Sequence, residues 1–286
     1  MTSTIFLIFY VLSLKYDQIS HTHIAMKKTI LLILTLFSCN IGNHLMADDD
    51  FGFNLELEAS KKINQNLKVA VTAEARTQEC IDNWERFSFG ADATYRIFKR
   101  KSSPWQVSAN AGYQFIDRYK PAHLSQSGRN WITSYWSPRH RGFASIKGSY
   151  KLTKAWTVSL RERYQYTYTT EQHVARYYAN RANGKNGTRN DDKIAGGTDR
   201  QLLRSRVELN WERKRSPWEP FAYIEVFNDL KDGLAYDQIR LSIGTDYNLN
   251  ARNAVGLSYR YKSEKGENDD DQEIGHIIKA SYTFKF

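Results

Sequence analysis

EIGHIIKASYTFKF, residues Glu273 to Phe286, is the stretch that decides the fold. Apolar residues occupy alternate positions in it, at Ile278, Ala280, Tyr282, Phe284 and Phe286. Successive side chains of a β-strand point to opposite sides, so the stretch predicts a strand with one apolar and one polar face. Such a strand, ending on an aromatic residue, is typical of a transmembrane β-barrel, whose aromatic girdles lie at the bilayer interfaces.

The same alternation recurs along the chain from Phe51 onward. Most of the alternating segments have at least 10 residues, which is enough to cross a bilayer at a tilt. We count eleven segments, near 51–60, 67–76, 86–97, 105–115, 140–152, 155–169, 200–213, 218–228, 236–248, 253–263 and 273–286. The prediction is an all-β, transmembrane, antiparallel up-and-down β-barrel of 10–12 strands.

The odd number of strands leaves two readings open. Bacterial single-chain barrels have an even number of antiparallel strands. Either the 51–60 strand lies outside the wall, or one further strand is still to be found.

The connections between the strands alternate in length. Short turns are expected near 61–66, 99–104, 152–155, 213–217 and 248–252, and longer ones near 78–83, 119–138, 170–199, 229–235 and 264–272. Outer-membrane barrels have short periplasmic turns and longer extracellular loops. Aromatic residues near the short turns are predicted to lie at the membrane interface: Trp105, Trp156, Trp211, Trp218, Tyr282, Phe284 and Phe286.

The composition agrees with a barrel and argues against two other classes of protein. Of the 286 residues 14% are aromatic, and the body has no run of the roughly 18 apolar residues that a membrane helix needs. The formal net charge is +10, but basic residues recur singly at alternate positions, so nucleic acid is not predicted as a partner. Cys39 lies in the targeting segment, and the lone Cys80 offers neither an intrachain disulfide nor a metal site.

Residues 26–47 predict a secretory signal peptide. Two lysines follow Met26, and an apolar run extends from Ile30 to Phe37, as in the charged and hydrophobic regions of such a peptide. Residues 1–25 are predicted to be an upstream extension that is not translated. Cleavage after Ala47 is preferred to a lipobox at Cys39, which leaves 48–286 as one barrel domain exported to the bacterial outer membrane.

The polar faces of the strands place many charged residues inside the predicted barrel. Nine are arginines: Arg76, Arg86, Arg96, Arg161, Arg163, Arg204, Arg206, Arg240 and Arg260. Seven are acidic: Glu56, Glu58, Glu74, Asp92, Glu208, Glu225 and Asp246. The first reading is a filled or narrow interior of paired arginines and carboxylates in a structural or surface-binding barrel. The alternative is a narrow, anion-preferring pore for small solutes, since 10–12 strands lie between the filled barrels of about 8 strands and the open channels of about 16–18.

Glu162 does not fit this pattern. It shares the predicted lipid face with Leu160 and Tyr164, where an acidic side chain is costly.

A lipid hydrolase is the one enzyme class with any support in the sequence. His123-Leu124-Ser125 has the spacing at which an imidazole activates a hydroxyl. The motif lies in a connection rich in Pro and Ser, and no acid to orient the histidine is identifiable. We therefore predict no catalytic residue, and no metal site or cofactor because no metal-ligand spacing is present. The expected partners are outer-membrane lipid, lipopolysaccharide and, through the C-terminal strand, the barrel-assembly machinery.

Five short motifs carry a family resemblance: Asp50-Phe51-Gly52-Phe53, Lys61-Lys62, Arg139-His140-Arg141, Leu160-Arg161-Glu162-Arg163-Tyr164-Gln165 and Tyr282-Thr283-Phe284-Lys285-Phe286. Together, over about 50–286, they resemble the DUF2490 family of uncharacterised outer-membrane proteins from Bacteroidetes-type bacteria. The resemblance implies a barrel and brings no catalytic residues with it.

Overall fold

The computed structural model describes residues 50–78, 83–99, 103–179, 189–213, 215–265 and 272–286. The predicted signal peptide, its predicted cleavage site and Cys80 lie outside these ranges. The strands of the described chain are β1 (Asp50–Lys62), β2 (Leu67–Gln78), β3 (Asn83–Lys99), β4 (Trp105–Lys120), β5 (His123–Leu124), β6 (Asn130–Ile132), β7 (Tyr135–Lys151), β8 (Trp156–Thr169), β9 (Gln172–Val174), β10 (Arg176–Tyr178), β11 (Lys193–Ala195), β12 (Thr198–Trp211), β13 (Trp218–Asp229), β14 (Ala235–Asn248), β15 (Asn253–Lys265) and β16 (Gln272–Lys285).

Eleven of these strands close into one barrel, in the order β1-β16-β15-β14-β13-β12-β8-β7-β4-β3-β2. Strands that are neighbours in the wall and follow one another in the chain are antiparallel, whereas β1 and β16 pair in parallel from Asp50 beside Gly275 to Ser60 beside Lys285. The predicted all-β up-and-down barrel of 10–12 strands is therefore confirmed. Both readings of the odd number were wrong, because the 51–60 strand lies in the wall and a parallel pair closes the barrel. With an odd number of alternating strands, the first and last run in the same direction.

The strands present their apolar side to the outside and their polar side to the interior. In β14, Leu241 and Ile243 point outward and Ile243 is 63% exposed, whereas Gln238 and Ser242, on the other face of the strand, are 3% and 5% exposed. Among the described residues, 18 buried side chains are polar or charged and 9 are hydrophobic. This distribution is the reverse of that in a soluble sheet, where the buried side is apolar.

The two longest connections contain short strands of their own. β5, β6 and β10 form a three-stranded sheet, and β9 pairs with β11. Ile132, Val174 and Ala195 bury one another there. The sequence predicts both connections only as loops, because strands of two or three residues are too short to show alternation. The connection between β2 and β3 has four residues, as does the turn between β1 and β2, so the expected difference in length does not hold at that position.

A side chain with an oxygen acceptor stabilises each of the five short turns. The acceptors are Asn64, Ser103, Thr153, Ser216 and Asn250, and each binds the backbone N–H of the first residue of the next strand at 2.8 to 3.2 Å. Asn, Ser and Thr favour turns because their side chains make such local hydrogen bonds.

Within the described residues no helix is long and apolar enough to span a membrane.

Candidate functional site in the barrel interior

A cavity of about 650 Å³ lies inside the barrel. Its charged lining consists of thirteen basic and eight acidic side chains. The basic ones are Arg76, Arg86, Arg118, Arg139, Arg141, Arg163, Arg200, Arg204, Arg206, Arg240, Arg260, Lys262 and Lys279. The acidic ones are Glu56, Glu74, Glu85, Asp199, Glu208, Asp237, Asp246 and Glu264. The lining therefore carries an excess of five positive charges.

Some of the charged residues that the sequence analysis assigned to the interior lie away from the cavity lining. Arg96 donates to the backbone oxygen of Gln65 at 3.0 Å. Asp92 accepts a 2.6 Å hydrogen bond from Asn110, and Glu58 forms an ion pair with Lys68 at 2.9 Å. Arg161 and Glu225 contact each other at 2.6 Å, next to cavity-lining arginines.

Two acids of the lining occupy β-bulges, and for this reason alternation along the sequence could not place them. Arg76 pairs with Arg86 and Thr77 pairs with Trp84, so Glu85 is the extra residue of β3. Phe227 pairs with Gln238 and Asn228 with Tyr236, so Asp237 is the extra residue of β14. A bulge shifts the side-chain alternation by one position.

Other lining residues were missed because the predicted strands were too short. β7 begins at Tyr135 and not near 140, which brings Arg139 into the wall. Arg139 and Arg141 lie two residues apart on the inner face, and Phe143 and Ser145 continue that alternation. This alternation was the feature of the sequence from which Arg139 and Arg141 could have been assigned to the interior.

Glu225 is the centre of the first group of ion pairs. Its side chain is 0% exposed, and its two oxygens contact Arg161 at 2.6 Å, Arg204 at 2.9 Å and Arg206 at 3.1 Å. The three arginines come from β8 and β12, whereas Glu225 is on β13. One carboxylate thus neutralises part of the charge of three guanidinium groups.

Glu74 is the centre of the second group. Its Oε1 atom accepts from Arg86 Nη2 at 2.5 Å and from Arg76 Nη2 at 3.1 Å. Arg76 also lies 3.6 Å from the bulge residue Glu85. Arg86 and Arg76 stand on neighbouring strands, so the two carboxylates reduce a repulsion that the strand register imposes.

Five arginines of the lining have no ion pair in the described part of the chain. No described carboxylate oxygen lies within 4.0 Å of a side-chain nitrogen of Arg139, Arg141, Arg163, Arg240 or Arg260. These groups carry the positive excess of the cavity.

Aromatic side chains lie near both ends of the barrel. Near the short turns, Trp105 packs on Tyr150 with ring centroids 4.7 Å apart, and Trp218 packs on Tyr247 at 4.6 Å. The other aromatic residues predicted for this end also have partners. Trp156 pairs with Trp211 in the wall, and Phe284 packs on Phe286. The hydroxyl of Tyr282 donates a hydrogen bond to Asn253. A further cluster at the opposite end joins Trp84, Phe87, Trp136 and Tyr119 and was not predicted.

Glu162 lies on the outer face of β8 and accepts a 2.6 Å hydrogen bond from Ser205 of β12. Glu162→Leu is expected to raise the free energy of unfolding in lipid vesicles by about 1–2 kcal/mol, because an acidic side chain facing hydrocarbon is costly. Chemical unfolding of the reconstituted protein measures this. Glu212→Leu, in the exposed turn after β12, is the matched control and should have little effect. Destabilisation by Glu162→Leu would contradict the assignment of this face to lipid.

The His123-Leu124-Ser125 motif does not form a catalytic pair. The ring of His123 contacts the backbone oxygen of Pro121 at 3.1 Å. The hydroxyl of Ser125 accepts from the backbone N–H of Asn130 and contacts Ser127. Within the described residues, no three His, Cys, Asp or Glu side chains are grouped as metal ligands.

A closed wall, an apolar outer surface and a charged interior define the class: this is a β-barrel of the outer-membrane type. The chain belongs to the DUF2490 family, described as "Protein of unknown function", whose model matches residues 51–273. The predicted family is thus confirmed over these residues. None of the curated proteins matches the sequence.

Several solved structures, among them the following three, are similar to this chain. One is a NanC porin, 11% identical, with a TM-score of 0.46 over 83% of this chain and 98% of that one. Another is the β domain of the Bordetella autotransporter BrkA, 12% identical, with a TM-score of 0.47 over 79% and 86%. The third is the translocator domain of the autotransporter NalP from Neisseria meningitidis, 14% identical, with a TM-score of 0.41 over 72% and 71%. Similarities of this size carry no functional information.

Proposed function

We propose that the protein is a non-enzymatic β-barrel of the bacterial outer membrane whose interior admits and passes small anions. The apolar outer surface of the barrel supports the proposed membrane location. Phe89, Ile146 and Ile243 lie on the outer face of three different strands and are 59–63% exposed. Apolar surface costs about 25 cal/mol per Å² in water, and large contiguous apolar patches mark contact with a membrane or a partner.

The two aromatic clusters fit the two interfaces of a bilayer, since Trp and Tyr concentrate at headgroup level. In this arrangement the short turns face the periplasm and the two long connections lie outside the cell. Lysines beside the short turns, such as Lys61, Lys62 and Lys151, would extend toward phospholipid headgroups. Lipopolysaccharide on the other side and the barrel-assembly machinery at β16 complete the proposed partners.

The observation that supports anions is the charge of the cavity. Thirteen basic groups face eight acidic ones, and five of the arginines have no described carboxylate partner. A polar interior with an excess of one sign of charge raises the local concentration of ions of the opposite sign. The two ion-paired groups around Glu225 and Glu74 fill part of the interior, as the filled reading expects, but a cavity of about 650 Å³ remains beside them.

Single-channel recording in planar bilayers tests this proposal. Under a potassium chloride gradient, the reversal potential is expected to have the sign of a current carried mainly by chloride. A reversal potential of the opposite sign would overturn the anion preference. The absence of conductance from protein shown to be folded would overturn passage and favour the filled, surface-binding barrel. Detergent without protein is the control.

A further inference from the structure

We propose that Arg141, Arg163, Arg240 and Arg260 together form a binding site for an oxyanion with at least two negative charges. The inference deepens the proposed function and rests on it, since it names the class of solute that the interior selects. The four residues come from β7, β8, β14 and β15 and line the same cavity.

The first argument is the missing counter-charge. Arg141 and Arg163 lie on the paired strands β7 and β8, and Arg240 and Arg260 lie on the paired strands β14 and β15. All four side chains line the same cavity. Because the described chain supplies no carboxylate within 4.0 Å of the four, a bound anion is the natural source of neutralisation.

The second argument is that the protein holds these guanidinium groups in place. Arg141 donates to Gln114 and to Thr167, each at 3.2 Å. Arg163 lies over the ring of Phe143 at 4.3 Å, and Arg240 lies over Phe227 at 4.4 Å. A guanidinium positioned over the face of a ring keeps N–H groups available for a ligand. The Nε atoms of Arg163, Arg240 and Arg260 are buried and have no hydrogen-bond partner in the described chain.

The third argument concerns the class of ligand. The planar fork of a guanidinium matches the paired oxygens of a carboxylate, sulfate or phosphate, and such bonds are about twice as strong as neutral ones. A chloride ion has one charge and cannot bond to two forks in this way. An oxyanion with two charges has several oxygen atoms and can accept hydrogen bonds from more than one guanidinium group at once.

Isothermal titration calorimetry on the detergent-purified full barrel tests the site. Sulfate, inorganic phosphate and succinate are titrated separately, with chloride as the monovalent comparison. We expect saturable binding of about one divalent anion per barrel and at least about tenfold weaker binding of chloride. A preference for succinate would indicate a dicarboxylate solute, and a preference for phosphate would indicate a phosphorylated one. Equal binding of chloride and the divalent anions would overturn the proposal.

The variants Arg240→Gln and Arg141→Gln are each expected to weaken divalent binding about tenfold or more, since a charged hydrogen-bonding group is lost. Arg240→Lys keeps the charge but loses the fork, and it should also bind more weakly. Arg96→Gln, which removes the same charge away from the cavity lining, is the matched control. Far-ultraviolet circular dichroism verifies folding, and Arg240→Lys provides the measurement if a glutamine variant fails to fold.

The possible failures are distinguishable. Unchanged affinity in folded Arg141→Gln and Arg240→Gln, or in folded Arg240→Lys, would overturn the site. An anion-selective barrel without saturable divalent binding would overturn the site and leave the pore. Divalent binding that is lost in these variants, in a barrel without conductance, would support the site and overturn passage.

Discussion

Glu225→Gln is expected to lower the free energy of unfolding by about 3–5 kcal/mol, because removal of one partner from a buried ion pair leaves uncompensated charge behind. Glu225 is fully buried, and its carboxylate contacts Arg161, Arg204 and Arg206. The glutamine amide fits the space and can accept hydrogen bonds, but it carries no charge. Three guanidinium groups on two strands would then repel one another without a counter-charge.

Chemical unfolding of the barrel in lipid vesicles measures the effect. Glu58→Gln is the matched control, because Glu58 also forms an ion pair, with Lys68 at 2.9 Å, but at a more exposed position. An exposed pair contributes about 0–1 kcal/mol, so the control should change little. Equal effects of the two variants would show that the group around Glu225 has no special role in stability.

Ile243→Arg is expected to destabilise the barrel in lipid vesicles by about 2–4 kcal/mol, the cost of a basic side chain at the bilayer midplane. Ile243 lies in the middle of β14, on the outer face, and is 63% exposed. If hydrocarbon covers this face, a charged side chain loses its hydration there. If water covered it, the same substitution on an exposed strand position would cost little.

Leu249→Arg is the matched control, since Leu249 is about equally large and exposed but lies in the short turn after β14. Its unfolding free energy should stay within about 0.5 kcal/mol of the parent protein. A full-length Ile243→Arg protein as stable as the parent would count against a lipid-covered wall, and with it against the proposed membrane location.

Much of the barrel wall could be predicted from the sequence, because the alternation of apolar and polar residues involves only neighbouring positions in the chain. The faces of β14 and of β16 follow from the period of two alone, and the family motifs likewise lie on wall strands, namely β1, β7, β8 and β16. Turn chemistry is local as well, and Asn64, Thr153 and Asn250 each stabilise a turn within three residues of their own position. Most of the arginines that line the cavity belong to this readable set, since their positions within a strand fix the side to which they point.

The ion pairs of those arginines could not be predicted from the sequence, because they depend on contacts between strands that are far apart in the chain. Arg161 contacts Glu225, which lies 64 positions further along the chain, and Arg141 and Arg240 line the same cavity although they are on distant strands. The near-balanced charges of the predicted interior favoured a filled core. The register instead gives Glu225 three arginines and leaves Arg240 and Arg260 without a described carboxylate.

Local chemistry was therefore enough to establish the strands, the apolar outside and the polar inside, because each follows from residues close together in the chain. Closure by the parallel pair of β1 and β16 required the whole chain, since it depends on the number of strands and the direction of each. The bulges that turn Glu85 and Asp237 inward also required it, because a partner strand fixes where the register shifts. The charge that remains unpaired inside is set by this register and not by composition.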